Sequence, residues 1–194
     1  MPSDIDHALW ALEEEVERVV LFVKGSAYGL RLAAKRVADV ASGGAPAPSS
    51  PEMARLAEAL AEGEDRLSDV TLLALGDHFR AFLARALGLP SLPPLPADVA
   101  EMEALPGTPG ALGKASFWVP LALQLYRVIL RGGKLDRRAL DALGTDELEI
   151  AYPGGKVKLF REGDRVGLSE RQLEEVAHAL VEAGRAIRFR LLTS

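Results

Sequence analysis

The chain has 194 residues, 48% of them hydrophobic, with a formal net charge of −5 and no cysteine. Its length suits one domain, or one domain with a small appendage, and is enough to bury a core without covalent staples. The missing cysteine excludes disulfides, thiolate metal sites and cysteine nucleophiles, and the acidic balance argues against nucleic acid as the default partner, because phosphate binding is driven by Lys and Arg.

Met1 leads into PSDIDHALWALEEE, which has neither the basic start nor the apolar run of a signal peptide. No segment reaches the roughly 20 apolar residues of a membrane span. A cytoplasmic protein is therefore expected.

Ser3 and Asp6 have the spacing of a capping box, and a long helical pattern follows. Ile5, Leu12, Val19, Ser26, Ala33 and Val40 recur every seven residues, with Leu9, Val16, Val23, Leu30 and Val37 filling the second seam position. The repeat stays in phase across Gly25 and Gly29, so one helix over 4–41 is expected, with these glycines as a notch for close approach. Glu13, Glu14, Glu15 and Glu17 precede Lys24, Arg31, Lys35 and Arg36, an order that complements the helix dipole.

SGGAPAPSSP reads as a flexible link, after which Ser50 and Pro51 open a short helix that ends near Gly63. A separate amphipathic helix is expected from Ser68 to Leu87, with Leu72, Leu75, Phe79, Phe82, Leu83 and Ala86 on one face and Gly88 as its stop. GLPSLPPLP is a stiff strap between helices, and a short helix is expected near Asp98 to Leu105.

SFWVPLALQLYRVILRGG, Ser116 to Gly133, is the centre of the chain: only Gln124 and Arg127 interrupt its apolar run, so other elements must surround it. Beyond it the pattern predicts a short helix over 136–143 and then a hairpin from ELEIAY and KVKLF that could run on through REGDR into VGL. Ser169 and Gln172 form a second capping box for a helix over 171–183, closed by Gly184. AIRFRLL alternates and reads as a final strand. The expected fold is mainly α: a bundle of about five helices over 1–135, with a small α+β segment (hairpin, helix, final strand) over 136–194 packed on it, the two forming either two units or a single domain.

Candidate chemistry is sparse. His7, His78 and His178 fall on different helices and in no metal-binding pair, so neither a metal nor another cofactor is expected. GTPGALGKA lacks the spacing and the hydroxyl of a phosphate-binding loop, which leaves Lys114 beside a helix start as a weak anion or nucleotide site, the third reading. Glu14 to Glu17 and Glu62 to Asp65 have ExxE and ExxD spacing similar to the metal-binding helices of all-α nucleotide pyrophosphohydrolases, although Gly63 interrupts the second pair. Arg171 and His178, in RQLEEVAH, have a spacing that resembles the Arg–His pair of HEPN-type ribonucleases. That resemblance implies RNA binding or cleavage by these two residues, while Glu174, Glu175 and Glu182 on the same face oppose a phosphate backbone.

Charge is uneven along the chain. Residues 1–113 carry 9 basic and 17 acidic side chains, whereas 114–138 carry 6 basic residues against Asp136 alone. Arg131, Lys134, Arg137 and Arg138 are either a docking patch or are neutralised within the chain, the second being preferred. The leading reading is a non-enzymatic helical module for protein–protein interaction or self-assembly, with a protein partner or a homodimer meeting Val16, Val23, Gly25 and Gly29, and the basic patch as a second contact.

Overall fold

The computed structural model describes residues 4–42, 50–93, 118–152 and 156–193. Among them are five helices, α1 (Asp4–Ser42), α2 (Ser50–Ala86), α3 (Trp118–Leu130), α4 (Arg137–Leu143) and α5 (Glu170–Thr193), and one hairpin, β1 (Leu148–Tyr152) and β2 (Lys156–Phe160). The chain is mainly helical, with a two-stranded sheet near the C-terminus, as the patterns predict. The capping box at Ser3, the link after Ser42, the helix near Asp98 and Lys114 lie outside the described residues.

α1 is a single helix of 39 residues. Ile5, Leu9, Leu12, Val16 and Val23 of its seam are buried in the core. α2 is the element against which α1 packs most extensively. The two run antiparallel: Leu12 lies beside Phe82 at one end, and Leu30 lies over Gly63 at the other.

Gly63 does not end a helix, contrary to expectation; α2 continues through it for 37 residues. A Cβ at Gly63 would sit 3.1 Å from the Leu30 side chain, so close packing of α1 accounts for a glycine whose intrinsic preference would break the helix. Ser68, expected near a helix start, lies within α2 and is buried, where its Oγ accepts a hydrogen bond from the Leu168 backbone N–H at 3.0 Å. The predicted α2 face is correct: Leu72, Leu75, Phe79, Phe82 and Leu83 are buried, and each large side chain of this kind stabilises the fold by about 1.5–3 kcal/mol.

α3 is the expected centre. Val119, every residue from Leu121 to Tyr126, and Val128 are buried, and Gly132 and Gly133 end it at positive φ. Gln124 is buried with them, and its amide nitrogen has no hydrogen-bond partner among the described residues. Asp136 caps α4 by accepting from the Ala139 N–H at 2.9 Å. Gly144 closes α4 in the left-handed conformation at φ 69°.

β1 and β2 pair antiparallel, with Leu148 opposite Phe160 and Ile150 opposite Lys158. Leu148, Ile150 and Phe160 turn inward, while Val157 and Leu159 face solvent. The sheet stops at Phe160, and the REGDR segment hooks onto Leu135 instead: the Gly163 N–H donates to the Leu135 carbonyl, and the Leu135 N–H to that of Asp164, both at 2.8 Å.

The largest departure from expectation is at the C-terminus. AIRFRLL is the last part of α5, and no strand follows. Leu180, Ala183, Gly184 and Ile187 are buried and Leu191 packs on the core, a spacing of three and four that satisfies a helix as well as the strand alternation does. Gly184 is a contact point: a Cβ there would come within 2.8 Å of Leu12. The Ser169–Gln172 box forms as expected, with Gln172 accepting from the Ser169 N–H at 2.8 Å and donating to the Ala151 carbonyl at 2.6 Å. That side chain therefore ties the start of α5 to the hairpin.

Candidate interaction surface

Successive residues of an α-helix are rotated by about 100°. On α1 this sets Leu21, Gly25, Tyr28 and Leu32 on one face, with Phe22 and Gly29 at its edge. Val16 and Val23 lie on the other side, against the core. Leu21, Phe22, Tyr28 and Leu32 are 62%, 56%, 64% and 41% exposed, whereas Val16 and Val23 are 5% and 1% exposed. A Cβ at Gly25 or Gly29 would meet nothing within 4 Å. Among the described residues nothing therefore fills the notch expected at these glycines, and the seam residues expected to meet a partner are covered by the chain itself. Trp10, 64% exposed, continues the outer face toward the N-terminus.

The orientation of this face is set by α5. Asp6 pairs with Arg188 at 2.5 Å and Glu13 with Arg185 at 2.8 Å, while Lys24 pairs with Glu174 at 3.3 Å and Arg31 with Glu170 at 2.6 Å. The order of charge along α1 thus matches an antiparallel neighbour as well as the helix dipole. All four pairs are partly exposed, so each is worth only about 0–1 kcal/mol, but together they favour one rotation of α1 about its axis. The hydrogen bond that Arg185 donates to Glu13, followed by burial acting in the opposite sense and the bond it donates to Glu182, leaves its guanidinium above its ordinary pKa.

Two of the four basic residues, Arg131 and Arg137, are paired locally with carboxylates of their own neighbourhood. Arg131 pairs with Asp136 at 2.8 Å. Arg137 pairs with Asp141 at 2.8 Å and Asp146 at 2.7 Å, contacts that raise its pKa, the hydrogen bond to Asp146 contributing most. Lys134 and Arg138 are exposed.

The residues considered for catalysis are scattered. His7 and His178 are exposed, His78 is half-buried, and no cluster of three His, Asp or Glu side chains able to hold a metal occurs among the described residues. Arg171 and His178 are both exposed on α5; of the acidic residues beside them, Glu174 is paired with Lys24 and Glu182 with Arg185. Glu14 is paired with Arg18, and Glu62 with Arg66.

One polar cluster was not anticipated. The Tyr126 hydroxyl donates to Asp77 at 2.7 Å and accepts from Arg80 at 3.1 Å, while Arg80 Nε donates to the Pro93 carbonyl at 2.7 Å. It fastens the proline strap and α3 to α2. Burial, and then the hydrogen bond to Asp77, raise the Tyr126 pKa above the ordinary tyrosine value. The folded chain then keeps a proton that the unfolded chain releases near pH ~10. This contribution to stability is complete below about pH 10 and is lost as pH rises through the folded pKa. Urea unfolding at a series of alkaline pH values should show stability falling, with a shallower decline in Tyr126→Phe.

The chain matches no model of a known protein family, no curated protein and no solved structure. No helix among the described residues is long and apolar enough to cross a membrane.

Proposed function

We propose that this chain is a non-enzymatic helical interaction module that docks a protein through the outer face of α1 between Leu21 and Leu32. One observation carries the reading: four large apolar side chains lie exposed around two glycines whose space none of the described residues uses. Each glycine costs a helix interior about 0.5–1 kcal/mol relative to alanine. Inside the fold, Gly63 and Gly184 offset that cost by admitting a neighbour, and Gly25 and Gly29 do not. A docked helix would use the open space and cover apolar surface that otherwise faces water.

Site-specific photo-crosslinking in living cells tests the surface. With the crosslinker in place of Phe22 or Tyr28, a discrete protein adduct is expected, and none with the crosslinker at exposed Arg138. Adducts at Arg138 alone would move the interface to the basic patch. No adduct at either α1 position would remove the proposal.

A further inference from the structure

Resting on that reading, we infer that the protein docked on α1 is a second copy of this chain, antiparallel to the first, with the two-fold axis at the level of Ser26 and Ala27. The charges at the two ends of the apolar stretch point to this occupant. Glu17, one turn before Leu21, and Lys35, one turn after Leu32, lie on the same side of α1 as Tyr28. Both are exposed, and neither has an ion-pair partner among the described residues. Of the other charged side chains near them, Arg18 is engaged by Glu14 and Glu15, Lys24 by Glu174 and Arg31 by Glu170, while Arg36 is exposed on the opposite flank.

In an antiparallel pair related by a two-fold axis, contacting residues have numbers that sum to a constant, and each contact occurs twice. A sum near 52 to 53 sets Leu21 against Leu32, and the glycine of one copy against Tyr28 of the other. The same register sets Glu17 of each copy against Lys35 of its mate. A parallel pair would instead bring Glu17 to Glu17 and Lys35 to Lys35, which repel. On the opposite flank Arg18 approaches Arg36, but Arg18 is already neutralised by two carboxylates. The contact is one helix wide and about 28 Å long from Glu17 to Lys35. That is at the small end of specific interfaces, so association in the micromolar range is expected.

Light scattering coupled to size exclusion, over a broad concentration range, should show the purified 194-residue chain passing from 20.8 kDa to twice that mass. Glu17→Lys and Lys35→Glu should each weaken the dimer roughly tenfold, since each turns two attractive contacts into repulsive ones. The double variant should return to within about threefold of the parent. Gly25→Leu should abolish the dimer, while circular dichroism shows the fold of all variants intact. A dimer indifferent to the charge exchange would overturn the antiparallel pairing. A chain that stays monomeric, yet crosslinks through Tyr28 to a different protein, would overturn the second copy and leave the docking face standing. Absence of both dimer and crosslink would overturn the two readings together.

Discussion

Gly76→Ala is expected to destabilise the chain by about 2–4 kcal/mol, although alanine is the better helix former. Gly76 lies within α2, and a Cβ there would fall 2.3 Å from Cδ2 and 2.7 Å from Cε2 of Tyr126. Such distances require a neighbour to move, and this one is a rigid ring. Tyr126 is 6% exposed, and its hydroxyl is fixed by Asp77 and Arg80, which in turn holds Pro93. Overpacking of about 1–3 kcal/mol, and the strained or broken bond to a charged partner, outweigh the helix gain of about 0.5–1 kcal/mol. Urea denaturation should place the loss in the midpoint, with an unchanged slope. Gly25→Ala is the internal control: with nothing within 4 Å, it should gain about 0.5–1 kcal/mol in the monomer. Adding Tyr126→Leu to Gly76→Ala should recover part of the loss, because the obstruction is the ring. If Gly76→Ala proves neutral, the contact between α2 and α3 is looser than described.

The comparison between Gly63, Gly76, Gly184 and Gly25 also explains how far the fold was legible in the sequence. Heptad spacing identified α1 and its buried seam, and the apolar run from Phe117 identified α3. Local capping chemistry located the start of α5, since Ser169 and Gln172 act on their own neighbourhood. Gly63 and Gly184 misled for one reason. Glycine reads as a stop when considered alone, whereas here each admits a side chain of α1, a long-range contact that no local pattern reports. IRFRLL failed differently. Ile187 and Leu191 are two steps of a strand apart and also one helical turn apart, and the choice between them is made by Leu12, Asp6 and Glu13 of α1. The candidate surface was half visible. Gly25 and Gly29 stood out, but the apolar residues facing outward with them were masked by the stronger repeat of Val16 and Val23. A second stripe, Leu21, Tyr28 and Leu32, at helical spacing on the far side of a buried seam, is the signal that distinguishes a surface helix from one with a further contact to make.

Those two stripes predict opposite outcomes for the same chemical change two residues apart. Val23→Asp should unfold the chain. Val23 is 1% exposed within the core cluster, where an ionised carboxylate would have no partner and the valine methyls would leave a void. A penalty above about 4 kcal/mol is expected, a large share of the 5–15 kcal/mol that holds a domain of this size together. Circular dichroism should show lost helix, or a midpoint lowered by roughly 10 °C or more. Leu21→Asp should leave the spectrum and the midpoint almost unchanged, within about 0.5 kcal/mol, because Leu21 is 62% exposed. The effect of Leu21→Asp belongs to association: it removes an apolar contact and adds a second negative charge one turn from Glu17, so the mass measured at high concentration should stay at 20.8 kDa. The pair separates the two roles of α1, which single substitutions in the seam cannot do, since they lose fold and association together. If Leu21→Asp unfolds the chain as Val23→Asp does, the outer face is covered by the protein's own residues and offers no docking surface. If both variants fold, the buried seam of α1 is not a seam, and the packing of α1 against α2 and α5 would have to be rebuilt.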